Sequence, residues 1–255
     1  LTIAASRQRA QPLASGVFAV TLEPVALALT LVSGLCWTIV YIESIRLGFR
    51  DKTYAMPLWA LALNFSWEIF NSILGYRDVG FSAQVIINFT WAIFDVFIVV
   101  TYFRYGYRYS RHLPQTLFIA WGLLVFVVAA VIEYAFIREF GLAHGRAYAA
   151  FLQNLLMSVL FIAMFFDRPA GEGQSLVIAV NKWLGTLAPT ILFGLIGGGG
   201  LPGPNSFLLT LGLLCSLFDI GYIALLSGKF RARAACPRDP GAGVKNTPPQ
   251  AFSDP

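Results

Sequence analysis

Residues 206–228 read SFLLTLGLLCSLFDIGYIALLSG, twenty-three positions with one charged side chain, Asp219. At about 1.5 Å rise per residue, a helix over this stretch crosses a hydrocarbon core of roughly 30 Å and carries a carboxyl into it. Similar runs recur at about 25–47, 55–75, 83–103, 114–137, 148–166 and 175–197. The whole chain agrees: of 255 residues, 57% are hydrophobic and 12% charged, whereas a soluble domain carries about 25% charged residues. The expected fold is all-α: a polytopic membrane protein built as a seven-transmembrane-helix bundle in one domain. A soluble enzyme, a disulfide scaffold and a nucleic-acid reader are thereby excluded.

The expected organisation is an extracytoplasmic segment at 1–24, the transmembrane domain at 25–228 and a disordered cytoplasmic tail at 229–255, rich in Arg, Pro and Gly. Residues 1–22 lack the apolar core and cleavage site of a signal peptide. Orientation follows from the basic residues. Arg7, Arg9, Arg77, Arg138 and Arg146 fall on the N-terminal side of the expected spans, and twelve between Arg46 and Lys245 on the other. The basic side, with the C-terminus, is expected in the cytoplasm. Leu1 in place of Met reads as a truncated chain or a non-ATG start, a pointer to a bacterial cytoplasmic membrane. Cys36, Cys215 and Cys236 form no C-x-x-C pair, and His112 and His144 fall in expected loops, so neither a disulfide nor a His-based site is implied.

Five of the thirteen acidic residues lie within spans: Glu43, Glu68, Asp95, Glu133 and Asp219. Glu43 and Glu133 stand near span ends and can extend towards water. Glu68, Asp95 and Asp219 lie more than about 10 Å from either face. A carboxyl at that depth faces the bundle interior, and it marks a functional site. Asn64 and Asn71 share a helix face with Glu68, as Asn88 and Trp91 do with Asp95, and Cys215, Ser216 and Tyr222 with Asp219. The fifth span adds Gln153, Asn154 and Ser158, the sixth Asn181 and Lys182. Lys182, within two turns of a span end, is expected to snorkel or to pair with Glu133.

Glu68, Asp219 and Asp95 are therefore the candidate catalytic residues. Asn64, Trp67, Asn71, Asn88, Trp91, Asn154 and Tyr222 are the candidate substrate-lining set, their rings suited to stabilising a passing cation. There is no Asp-Asp pair, Walker loop, H-E-x-x-H or G-x-S-x-G, so no metal, cofactor or nucleotide is expected. One internal echo, N-F-S-W at 64–67 against N-F-T-W at 88–91, lies on spans that run in opposite directions and reads as chance or similar packing demands, with an ancient duplication as the alternative.

Seven short spans, the Trp67-Glu68 pair within N-F-S-W-E and Asp219 within C-S-L-F-D-I-G-Y together resemble the integral-membrane terpene cyclases of fungal meroterpenoid and indole-diterpene pathways and of actinobacterial prenyl-indole pathways. The resemblance implies that Glu68 and Asp219 are essential acids, with Asp95 a further acidic position. It also implies a lipophilic, farnesyl-type prenylated aromatic or indole substrate drawn from the bilayer. The reaction would be a metal-free isomerisation begun by protonating a terminal epoxide or alkene. The residues agree, because a carboxyl deep in hydrocarbon is held most cheaply as the neutral acid, the form that gives a proton. No nucleic acid and no protein partner is implied.

Two other readings stay open on the residues alone. Buried Asp and Glu on several helices also suit a proton- or ion-coupled transporter, although only Pro189 breaks a span in the manner of transporter sites. Lys182 could hold retinal in a seven-helix photoreceptor.

Overall fold

The computed structural model describes residues 14–198 and 201–235. Residues 1–13 and 236–255, which hold most of the expected N-terminal segment and tail, lie outside the described residues. Six α-helices make up the described chain: α1 (Ala14–Arg50), α2 (Leu58–Val79), α3 (Ala83–Tyr105), α4 (Gln115–Asp167), α5 (Leu176–Ile191) and α6 (Ser206–Ala235). A 3₁₀ turn, Gly106–Tyr109, follows α3, and a π-helical turn, Leu192–Ile196, follows α5. Helix starts are set locally. Pro57 and Pro114 precede α2 and α4, where a missing N–H costs nothing. Ser82 and Ser175 cap α3 and α5 by accepting the Val85 and Val177 N–H groups. Asn205 Oδ1 accepts the N–H groups of Phe207 and Leu208 at the start of α6, both at 3.1 Å.

The count of seven separate helices is corrected to six, because the expected fourth and fifth spans are joined in the 53-residue α4. The polar stretch between them, Arg138 to Arg146, reads as a loop yet stays helical apart from Gly141, whose φ of 74° and ψ of 170° break the run. Only glycine adopts that conformation without strain. A Cβ on Gly145 would lie 2.6 Å from the Phe136 carbonyl oxygen, so the chain on either side of the break is in close contact. Both ends of α4 lie at one end of the molecule, since Arg168, just past its C-terminus, stacks on Tyr54 and Tyr109, which flank α2 and follow α3. Among the described residues, five helices are long and apolar enough to cross a membrane: those over Glu23–Arg50, Ala83–Tyr109, Gln115–Asp167, Leu176–Ile196 and Ser206–Lys229. The chain is a multi-pass integral membrane protein.

Packing is inside-out relative to a soluble protein. Leu31, Leu35, Val131 and Leu217 are more than 60% exposed on the outer surface, as lipid contact requires. Lys182, Asp95, Glu68, Glu133 and Asp219 are 0–2% exposed. Within the core, α1 packs on α3 and α5, α2 on α3 and α4, and α6 on α4 and α5. Close approach of α5 to α1 depends on Gly185, where a Cβ would meet the Trp37 ring at 2.9 Å. Basic loops gather at one end, where Arg108 pairs with Glu172 at 2.9 Å. There Asp51 accepts the Gly173 N–H. Burial acts to raise the Asp51 carboxyl, yet Arg50 and that N–H hold it below the usual carboxylate range.

Candidate functional site

Between α1, α2, α3, the second half of α4 and the π turn lies a cavity of about 450 Å³. Its wall from α2 is a single stripe, Asn64, Glu68, Asn71, Gly75 and Asp78, spaced as one helix face. From α1 come Trp37 and Tyr41, from α3 Asn88 and Trp91, and from α4 Arg146, Phe151, Gln153 and Asn154. Pro189 breaks the regular ladder of α5, and the π turn after it sets Leu192 and Phe193 against the cavity.

At the buried end stands a hydrogen-bonded cluster. The Tyr41 O–H donates to Glu68 Oε1. Asn64 Nδ2 reaches Glu68 Oε1 at 3.0 Å, Asp95 Oδ2 at 2.9 Å and the Tyr41 oxygen at 2.6 Å. Two amide hydrogens thus serve three acceptors. No cation is among these partners. Two ionised carboxylates sharing one amide in a buried, low-dielectric setting would repel strongly, so at least one holds its proton. Glu68 Oε1 is saturated by two donors, while Oε2 is buried with no partner, as is Asp95 Oδ1. Around the cluster, Tyr41 stacks on Trp91 at 5.7 Å and lies 6.3 Å from Trp37.

Asp219 stands apart. Lys182 Nζ donates to its two oxygens at 2.8 and 3.0 Å and to Ser158 Oγ at 2.7 Å, so all three ammonium hydrogens are used. Neither Asp219 nor Tyr222 lines the cavity, and Tyr222 packs instead on Phe161 at 5.5 Å. Asp95 sits behind Asn64 rather than on the wall. The other sequence-derived candidates, Glu68, Asn64, Trp67, Asn71, Asn88, Trp91 and Asn154, all line one cavity.

Two expectations are corrected here. Lys182 neither snorkels nor pairs with Glu133; it is fully buried against Asp219. Glu133 does not reach water either. It is 1% exposed, and Gln153, with its amide nitrogen turned towards it, donates to it at 3.3 Å. Neighbouring helices cover both positions, which depth along one helix does not reveal. The sequence reading also missed Tyr41, although its i+4 relation to Trp37 and i−3 relation to Ser44 mark an inward face of α1.

Comparison with known proteins bears on this geometry. The model of the Pyr4-like transmembrane terpene cyclases matches residues 16–195, which include every cluster residue and stop short of Asp219. The chain is 31% identical over 170 residues to the Pyr4-family terpene cyclase mfmH of Annulohypoxylon moriforme, covering 65% of this chain and 68% of that protein. It is 25% identical over 209 residues to the terpene cyclase pyr4 of Aspergillus fumigatus, covering 77% of this chain and 83% of that protein. With the terpene cyclase andB of Emericella variicolor it shares 27% identity over 169 residues, 66% of this chain and 71% of that protein. No solved structure matches. These relatives are fungal, and they lend no support to the bacterial membrane expected from Leu1. A match over most of the chain that takes in the whole cavity cluster makes this protein a member of the Pyr4-like transmembrane terpene cyclase family, and an enzyme.

Proposed function

We propose that the protein cyclises a prenyl chain, of farnesyl type and attached to an aromatic or indole head, by protonating its terminal epoxide or alkene with Glu68. The observation that carries this reading is the bare Oε2 of Glu68, in a carboxyl whose other oxygen is saturated. The proton resides on Oε2 and passes to the epoxide oxygen or the terminal alkene carbon. For the epoxide, the C–O bond at the tertiary carbon breaks as the next alkene attacks. The cation then moves along the chain past Trp37, Tyr41 and Trp91, whose ring faces stabilise it by about 0.5–2 kcal/mol per contact. Meanwhile Tyr41 and Asn64 hold the Glu68 carboxylate, which recovers a proton from the last cation, so substrate and product are isomers. Asp95, across Asn64, holds the amide in place. Asp219, bound to Lys182, acts through position and not as the donor. A transporter is not favoured.

The reaction is proposed to need no metal. The group between Glu68 and Asp95 is an N–H donor, whose polarity repels a cation where a carboxylate cage would hold one. Purified protein should keep full activity in excess chelator, and a loss restored by magnesium would overturn this part.

We further infer seven crossings. Two halves of α4 joined at Gly141, with both ends at one face, account for two of them, and α2 supplies the one that its polar stripe keeps from reading as apolar. The expected divisions at 24/25 and 228/229 fall inside α1, which begins at Ala14, and α6, which runs to Ala235; the transmembrane domain between them is kept as proposed, with the basic end and the C-terminus in the cytoplasm. A reporter active only in the cytoplasm, fused after Lys229, should give signal; silence would reverse the orientation.

A further inference from the structure

We propose that the stretch of cavity between Glu68 and the open end seats an oxygen-bearing head group of the substrate, selected by Asn71 and Arg146. This rests on the Glu68 reading and adds to it. The α2 stripe runs from Glu68, which is 1% exposed, to Asp78 and Val79, which are exposed. Those ten residues cover about 15 Å. The cavity is therefore closed and aromatic at the Tyr41–Trp91 end and open and polar at the Asp78 end, where Ser82 and Gln84 also line it. A prenyl hydrocarbon belongs in the first, and whatever polar group it carries belongs on the side of Glu68 that leads to the second.

Two side chains of the cavity wall have unspent hydrogen-bonding capacity of opposite kinds, with Asn71 standing one turn from Glu68 on the way to Asp78. Asn71 Nδ2 donates to the Trp67 carbonyl at 2.8 Å. A carbonyl oxygen only accepts, so this bond fixes which way the amide points. Its Oδ1 is left as a bare acceptor, without a partner, on a residue 2% exposed. Such a group demands a donor from whatever fills the cavity. Arg146 supplies the complement. Its backbone carbonyl is tied to Trp67 Nε1 at 2.8 Å, beside the acid, while its guanidinium makes no hydrogen bond or ion pair among the described residues. Among the described residues it is the one Lys or Arg on the cavity wall. The pair thus fits a head that offers an O–H or N–H to Asn71 and an oxygen acceptor to Arg146. A plain hydrocarbon end offers neither.

The test uses three probes with the same epoxyfarnesyl chain: one attached to phenol, one to its methyl ether and one to benzene. Binding is measured by equilibrium dialysis of the protein in lipid nanodiscs against empty discs, and cyclisation is followed separately. Wild type should bind the phenol about 10-fold tighter than the ether, and the ether about 10-fold tighter than the benzene, each step being one hydrogen bond to a desolvated group. Asn71→Leu should remove the first step and keep the second. Arg146→Met should remove the second, with thermal melting of each variant confirming the fold. Equal binding of all three probes by wild type, or preferences unchanged in the folded variants, overturns the proposal. Graded binding without cyclisation of any probe refutes the Glu68 reading and leaves this one standing, while cyclisation without graded binding does the reverse.

Discussion

Glu68→Gln should lower cyclisation by about 10³-fold or more while leaving the protein folded, the scale expected when a positioned general acid is lost. The amide is isosteric, and its oxygen can accept from Tyr41 and Asn64 as Glu68 Oε1 does. What it lacks is an acidic proton at the position of Oε2. Substrate affinity should change little, because the amide N–H at that position still donates to an epoxide oxygen, and an alkene gains nothing from the acid proton before the reaction begins. The readout is therefore a collapse of kcat with KM nearly constant, measured beside a melting curve that matches wild type. Wild-type turnover in the folded variant would remove Glu68 as the initiating acid.

The second large effect concerns folding. Asp219→Asn leaves the Lys182 ammonium buried at 0% exposure without its counter-charge. Breaking such a pair from one side costs about 3–5 kcal/mol, whereas replacing both partners with neutral groups is often nearly free. The single variant should lose most of its folded protein in detergent. Lys182→Met combined with Asp219→Asn should recover it, and cyclisation per folded molecule should return as well. A double variant that is folded yet inactive would place Asp219 in the chemistry, as the resemblance to known cyclases implies.

Local pattern made much of this site readable in advance. Asn64, Glu68 and Asn71 fall on one helix face by spacing alone, and the structure lines the cavity with all three. Asp95 was legible as a deep acid, but its meeting with Glu68 through Asn64 depends on how α3 slides against α2, which no single-helix pattern encodes. Lys182 was misplaced for a related reason. Depth counted from a span end measures distance to water along one helix, whereas burial is set by α4 and α6, which supply Ser158 and Asp219. The helix count failed where Arg138, Glu139, His144 and Arg146 resemble a polar loop yet remain helical on both sides of Gly141.

That break at Gly141 also bears on how the protein is made. The reversal is completed with hardly any non-helical chain, so the two halves of α4 have no soluble loop to separate them during synthesis. The Gly145 backbone lies against Phe136 and Ile137, so the two halves pack on each other directly at the break. Under the seven crossings proposed above, the halves are expected to enter the bilayer together, as a helical hairpin. Gly141, absent from the cavity wall, is on that reading a determinant of membrane assembly, and a side chain there would strain the reversal rather than the site.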